Sequence, residues 1–287
     1  MLDLALSILF SSLIFIVFKL LSIYRINTLY ALVANYITAC ITGLIFNVDG
    51  NVSLEILQKS WVPGTFILGV LFIVVFNLMA ATSQKIGISV ASVATKMSLV
   101  IPVICALLFY GERLHPLQGL GIVLALSAVY FVSIRDKSIV LDRAFLWLPL
   151  LVFLGSGIID AGIKFLEEFY LAKNEFPLLS AVAFASAAIA GILFILLKES
   201  TRTKRLRPKD VVGGIALGIP NYFSIYYLLQ AFQHENLGSA VIFTINNVGI
   251  VLLSTLFGIV LFKEVISLKN WMGIGLAIVS IVLVALL

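Results

Sequence analysis

The chain has 287 residues, of which 62% are hydrophobic and 11% charged, with a mean hydropathy of +1.16 and a formal net charge of +5. Charged residues make up about 25% of an ordinary soluble domain, so this composition excludes a water-soluble globule and leaves an integral membrane protein. Spans near 20 apolar residues, enough to cross a hydrocarbon core of about 30 Å, use up nearly the whole length, and no soluble enzyme domain is expected beside them.

In chain order the first span runs from Asp3 to Ser22 and the second from Thr28 to Phe46. Asp3 stands where a signal peptide would carry Lys or Arg, so the first span is expected to be retained as a helix. A polar connection, Asn47 to Ser60, turns at Asp49-Gly50. The third span, Val62 to Thr82, opens with Pro63, where a helix tolerates proline. The fourth, Ile88 to Tyr110, contains Pro102, which removes a backbone hydrogen bond and predicts a kink. His115 and Pro116 open the fifth, which ends at Ile134. After a linker over 135–143 come Ala144 to Leu166, Phe176 to Leu197, Val211 to Ala231, Gly238 to Phe262 and Leu268 to Leu287. Ala and Ser in the seventh span and Gly213, Gly214 and Gly218 in the eighth predict close backbone packing in lipid. Cys40 and Cys105 fall inside spans without metal-ligand spacing and are expected to pack. No metal and no cofactor is expected.

The two halves repeat each other. Gly87 to Gly121 returns about 150 residues later as Gly238 to Gly275: a Gly opens an apolar span, Tyr110-Gly111-Glu112 or Phe262-Lys263-Glu264 closes it, and Glu112 stands as far from Gly121 as Glu264 from Gly273. Aligning Ser11-Ser12 with Ser156-Gly157 places Lys19 on Lys164. The expected fold is therefore all-α and integral to the membrane, with ten transmembrane helices in two five-helix repeats, residues 1–134 and 144–287. Five crossings turn the second repeat upside down relative to the first, the arrangement of alternating-access carriers. The odd-numbered connections carry Arg25, Lys85, Arg135, Lys137, Arg143, Lys198, Arg202, Lys204, Arg205, Arg207, Lys209, Lys263 and Lys269, against only Lys59, Arg113 and Lys173 on the other side. Lys and Arg in short loops mark the cytoplasmic face, which predicts a cell-membrane protein with both termini outside. The basic seventh connection is expected to signal topology and meet anionic lipid, not nucleic acid.

These residues resemble the EamA domain of the drug/metabolite transporter superfamily. Ala81, Gly87, Pro102, Gly111, Glu112, Gln118 and Gly121 fit its pattern in the first copy; Ala231, Glu264 and Gly273 fit in the second, with Leu253 in place of the Pro and Lys263 in place of the Gly. The Lys of the opening helix is kept in both copies, as Lys19 and Lys164, and the usual Trp is missing from both. The resemblance implies a ten-helix carrier or exporter of small metabolites, amino acids among them.

Polar groups at membrane depth are expensive, about 2.5 to 3.5 kcal/mol for a Lys or Asp at a helix centre, so function is expected where they concentrate. Four charges qualify: Lys19, Lys96, Asp160 and Lys164. Lys19 and Lys164 are close enough to span ends to snorkel, whereas Lys96 lies about 12 Å along its helix. Lys96 is thus expected to bind the acidic group of an anionic or zwitterionic substrate. Asn77, Asn221, Tyr222, Tyr226, Tyr227, Gln230, Asn246 and Asn247 sit in the third, eighth and ninth spans and are expected to line a central cavity or to glue helices together. Asp160 and Lys164, four apart with the acid first, have ion-pair spacing and, with Lys19, are candidates for coupling. Glu112 and Glu264 end helices, where the dipole repels them, and the N-termini near Pro116 and Ser267 are expected to compensate. A lipid or lipid-phosphate carrier on the same fold and an ion channel are the alternatives. An intramembrane enzyme lacks a constellation, since His115 and His234 lie in connections. The expected partners are a small-molecule substrate and membrane lipid, in a monomer or homodimer.

Overall fold

In the computed structural model, residues 1–46, 58–109, 116–133, 145, 147–170, 176–197, 206–234 and 239–285 are described. They form α1 (Leu2–Ile23), α2 (Thr28–Phe46), α3 (Val62–Lys85), α4 (Ile88–Met97), α5 (Val100–Phe109) and α6 (Pro116–Ser133) in the first half. The second half contributes α7 (Leu148–Tyr170), α8 (Phe176–Leu197), α9 (Pro208–His234), α10 (Ser239–Phe262) and α11 (Leu268–Ala285). Seven of these are long and apolar enough to cross a membrane by themselves. Prolines stand where helices begin: Pro63 in the first turn of α3, Pro116 and Pro208 as first residues, and Pro149 and Pro177 as second residues. Pro220 lies inside α9, which nevertheless continues to His234.

The fourth span is the main departure from expectation. It is two helices, α4 and α5, separated by a turn at Ser98-Leu99, four and three residues before Pro102, where a proline removes the helical bond to residue i−4, so the expected kink is a full break. The physical reason is positional. Pro102 falls in the first turn of α5, where the N–H it lacks would have no intrahelical partner in any case. Its repeat partner α10 runs unbroken from Ser239 to Phe262.

The halves interleave. α9 packs on α1 and α2, α3 packs on α7 and α8, α10 packs on α1 and α4, and the two closing helices α6 and α11 pair with each other. Backbones come very close at these crossings. A Cβ on Gly214 would meet the Ala31 carbonyl oxygen at 2.6 Å, one on Gly218 the Asn35 carbonyl oxygen at 2.7 Å, and one on Gly69 the Ala187 nitrogen at 2.6 Å. The small residues of the seventh and eighth spans thus provide close packing, as in other helix bundles in lipid. Around them lies an aromatic and aliphatic core containing Phe15, Phe18, Tyr36, Phe76 and Phe184, in which the buried Tyr36 hydroxyl donates to the Phe72 carbonyl at 2.9 Å.

The α1–α2 turn is fastened to the start of α9. Asp210, fully buried, accepts hydrogen bonds from the Asn27 N–H at 2.9 Å and from the Arg207 N–H at 3.0 Å. Arg207 and Lys209 then donate to the carbonyls of Arg25 and Tyr24. These two cations of the basic seventh connection therefore hold a turn in place. Lys198, Arg202, Lys204 and Arg205 lie outside the described residues, as do Glu112, Arg113, His115, Lys173 and the linker over 135–143.

Candidate functional site

The α4/α5 break places helix ends at membrane depth. Lys96 is in the last turn of α4, at the negative end of its dipole, and α5 begins two residues after Ser98, presenting a positive end. Asp160 of α7 is matched to that polarity: the Ser98 hydroxyl donates to its Oδ2 at 3.1 Å, and the Lys96 ammonium is a cation in electrostatic reach. Asp160 therefore reaches across to α4. At 100° per residue it shares a face of α7 with Phe153, Ser156 and Gly157, all buried against the bundle. Asp160 itself is exposed. An exposed carboxylate on a buried face looks into open space inside the bundle. Lys164, one turn further, is partly buried on the same face.

The remaining candidates are distributed over the bundle. Asn246 of α10 is buried and accepts a hydrogen bond from the Ser7 hydroxyl of α1 at 3.1 Å, with Asn247 buried beside it. Asn221 of α9 donates to the Asn35 side chain of α2 at 3.2 Å, which makes it a buried tie between helices of opposite halves. Asn77 donates along its own helix to the Ile73 carbonyl at 2.8 Å. Tyr222 and Tyr226 stack at 5.9 Å within an aromatic cluster that includes Phe46, Phe223, Tyr227 and Phe10. The Tyr222 ring lies against Gly43 of α2, at 3.2 Å from where a Cβ would be. Asn221 and Tyr222 are thus committed to the α2–α9 contact.

One acid–base expectation, that for Glu264, needs correction. Lys19, with its side chain 22% exposed, lies 3.8 Å from Glu264 Oε1 and donates to the Gln84 carbonyl at 3.4 Å. The Lys19 ammonium thus has a protein carboxylate beside it. Glu264 compensates its own helix end at α4 and not at Ser267: Oε1 accepts from the Ile88 N–H at 2.8 Å and Oε2 from the Ser89 hydroxyl at 3.4 Å. The end of α11 is already satisfied, because Ser267 and Asn270 cap each other, Asn270 N–H to Ser267 Oγ at 3.2 Å and Ser267 N–H to Asn270 Oδ1 at 3.3 Å. The sequence does not single out the Glu264–α4 contact, although a signal exists: the Gly87 turn and Glu264 belong to the third and ninth connections and Lys19 lies one turn before the first, all toward one membrane face.

Among the described residues no three His, Cys, Asp or Glu side chains come together to hold a metal ion. The sequence pattern of the EamA-like transporter family matches residues 1–134 and again 146–286. The chain belongs to the EamA-like transporter family. A relative in Haemophilus influenzae, described only as an uncharacterized protein, is 30% identical over 251 residues, covering 85% of this chain and 84% of its own. A solved crystal structure superposes with a TM-score of 0.60 at 16% identity, covering 98% of this chain and 97% of the other, which shows the shared fold. The fold is that of two inverted five-helix repeats, and the protein is a multi-pass membrane transporter, not an enzyme.

Proposed function

We propose that this EamA-family transporter is a secondary carrier that exports a small metabolite bearing both an acidic and a basic group, such as an amino acid, by alternating access at the α4/α5 break. The observation that carries the reading is the accessible Asp160 on an otherwise buried helix face, in electrostatic reach of Lys96. An anion and a cation held across one opening match a zwitterion, Lys96 taking the carboxylate and Asp160 the ammonium. Asn246 and Asn247 add buried amides from a second helix of Asp160's repeat, α10, which packs against α4. Asp160 disfavours the lipid-phosphate alternative, because a phosphate dianion would meet a carboxylate beside its ammonium partner.

Lys96→Met keeps the volume and removes the charge. Affinity of the purified protein for the amino acid it binds best should fall about 100-fold, near 3 kcal/mol, while the protein still inserts and elutes as a folded species. Unchanged affinity would remove Lys96 from the site. The excess of Lys and Arg in the odd-numbered connections supports cytoplasmic loops there and termini outside the cell membrane. In a chain with Cys40 and Cys105 replaced by Ser, a cysteine at Arg205 should react with an impermeant thiol reagent only in opened cells, and one appended after Leu287 in intact cells; the opposite pattern would invert the orientation.

A further inference from the structure

Lys19, Glu264 and the amino end of α4 lie away from the α4/α5 break, at the face carrying the α3–α4 and α10–α11 turns. Lys19, Ile88 and Ser89 belong to the first repeat, whereas Glu264 follows α10 of the second. Their contact therefore spans the two bodies that alternating access moves against each other. The carboxylate is wedged between two glycines: a Cβ on Gly87 would stand 3.0 Å from Oε2 and one on Gly258 only 2.6 Å from it. Gly87 has φ 154°, a conformation a side chain would strain. Below this contact every residue from Ile86 to Ala94 is buried, whereas Thr95 and Lys96 are partly accessible. The bundle is shut from the turn inward for two helical turns.

We infer that Glu264, held by Lys19 and by the N-terminus of α4, is a latch between the repeats that keeps this face closed. The bond is suited to opening. Both side chains keep some contact with solvent, 22% for Lys19 and 12% for Glu264, so their attraction is screened and the pair can exchange for water. A cavity of about 230 Å³ lies alongside, with Lys19, Lys85, Ser89, Glu264 and Asn270 set among apolar lining residues, and offers the freed carboxylate room and polar partners. Lys85 is occupied at the rim by the Phe145 ring, 3.9 Å from its ammonium, which leaves Lys19 as the cation of the latch. Opening the face then requires Glu264 to leave α4, after which α4 and α10 can part.

The inference rests on the alternating-access reading, and its test is independent of any substrate. Ala94, fully buried beneath the latch, is changed to Cys in a chain with Cys40 and Cys105 replaced by Ser, and labelling by a membrane-impermeant maleimide is timed in vesicles of both orientations. Glu264→Gln should speed labelling about tenfold, from the α3–α4 side only, because it removes the ion pair and weakens the cap. Lys19→Met, which leaves the cap, should speed it about threefold. Gly258→Ala, whose Cβ displaces the carboxylate, should resemble Glu264→Gln. Rates within twofold of the parent for the variants that fold would overturn the latch, and Lys19→Met decides if Glu264→Gln does not reach the membrane. Such a failure would leave the Lys96 affinity test untouched, and loss of the Lys96 site would leave these rates unchanged.

Discussion

The fourth spans of the two repeats hold matching places in the sequence, yet α4/α5 is broken at Ser98-Leu99 and α10 is continuous. The polar residues differ in kind with the backbone. The broken copy carries Lys96 and faces Asp160, whereas the unbroken copy carries Asn246 and Asn247, one of them satisfied by Ser7. A continuous helix has no free backbone groups of its own at mid-membrane to face a charge, and α10 carries neutral amides there. Two helix ends supply oriented partial charges, which let a cation and an anion stay at the same depth. Asymmetry between the repeats thus sets where charge can be kept inside the membrane.

The sharpest way to break that comparison is to force the unbroken copy to resemble the broken one. Leu253→Pro removes the bond to the Gly249 carbonyl, at a point where α10 runs close against Ile8 of α1. The cost should be about 3 kcal/mol, visible as a large fall in thermal unfolding temperature in detergent. Pro102→Ala, in a first turn, should stay within about 1 kcal/mol. Equal shifts for the two would mean that the break does not distinguish the copies.

A smaller effect sharpens the same point. Ser98→Ala removes the hydroxyl that ties Asp160 to the break, and loss of one hydrogen bond to a charged group, about 1.5 kcal/mol, should weaken zwitterion binding roughly tenfold without altering thermal stability much. Binding as tight as in the parent would show that the Asp160 position does not depend on the break.

Much of this molecule is legible in its sequence, because a bilayer restricts both length and polarity. The bounds of α2 and α8, Thr28–Phe46 and Phe176–Leu197, follow from apolar runs ended by polar connections. The glycines of α9 and the small residues of α8 announce close crossings. The place of the break in α4/α5 is legible through Pro102, whose missing N–H would have bonded the Ser98 carbonyl, whereas its extent, a turn separating two helices, is not. Partner choice is harder still. Glu264 finds Ile88 across 176 residues of chain, and a helix-end carboxylate has several helix N-termini at its own membrane face to choose from. Lys96 and Asp160 are both legible as charges at membrane depth; their electrostatic coupling is not, because Asp160 also has Lys164 at ion-pair spacing on its own helix.

The interleaved packing has a consequence for how the protein is made. When α1, α2 and α3 first enter the bilayer, the surfaces that will receive α7, α8 and α9 face lipid, and the Asn35 side chain has no Asn221 to meet. The early helices are therefore provisional. Their final neighbours are synthesised last, so assembly is completed only when the second half of the chain threads into place between helices inserted before it, and neither half released alone would hold this arrangement.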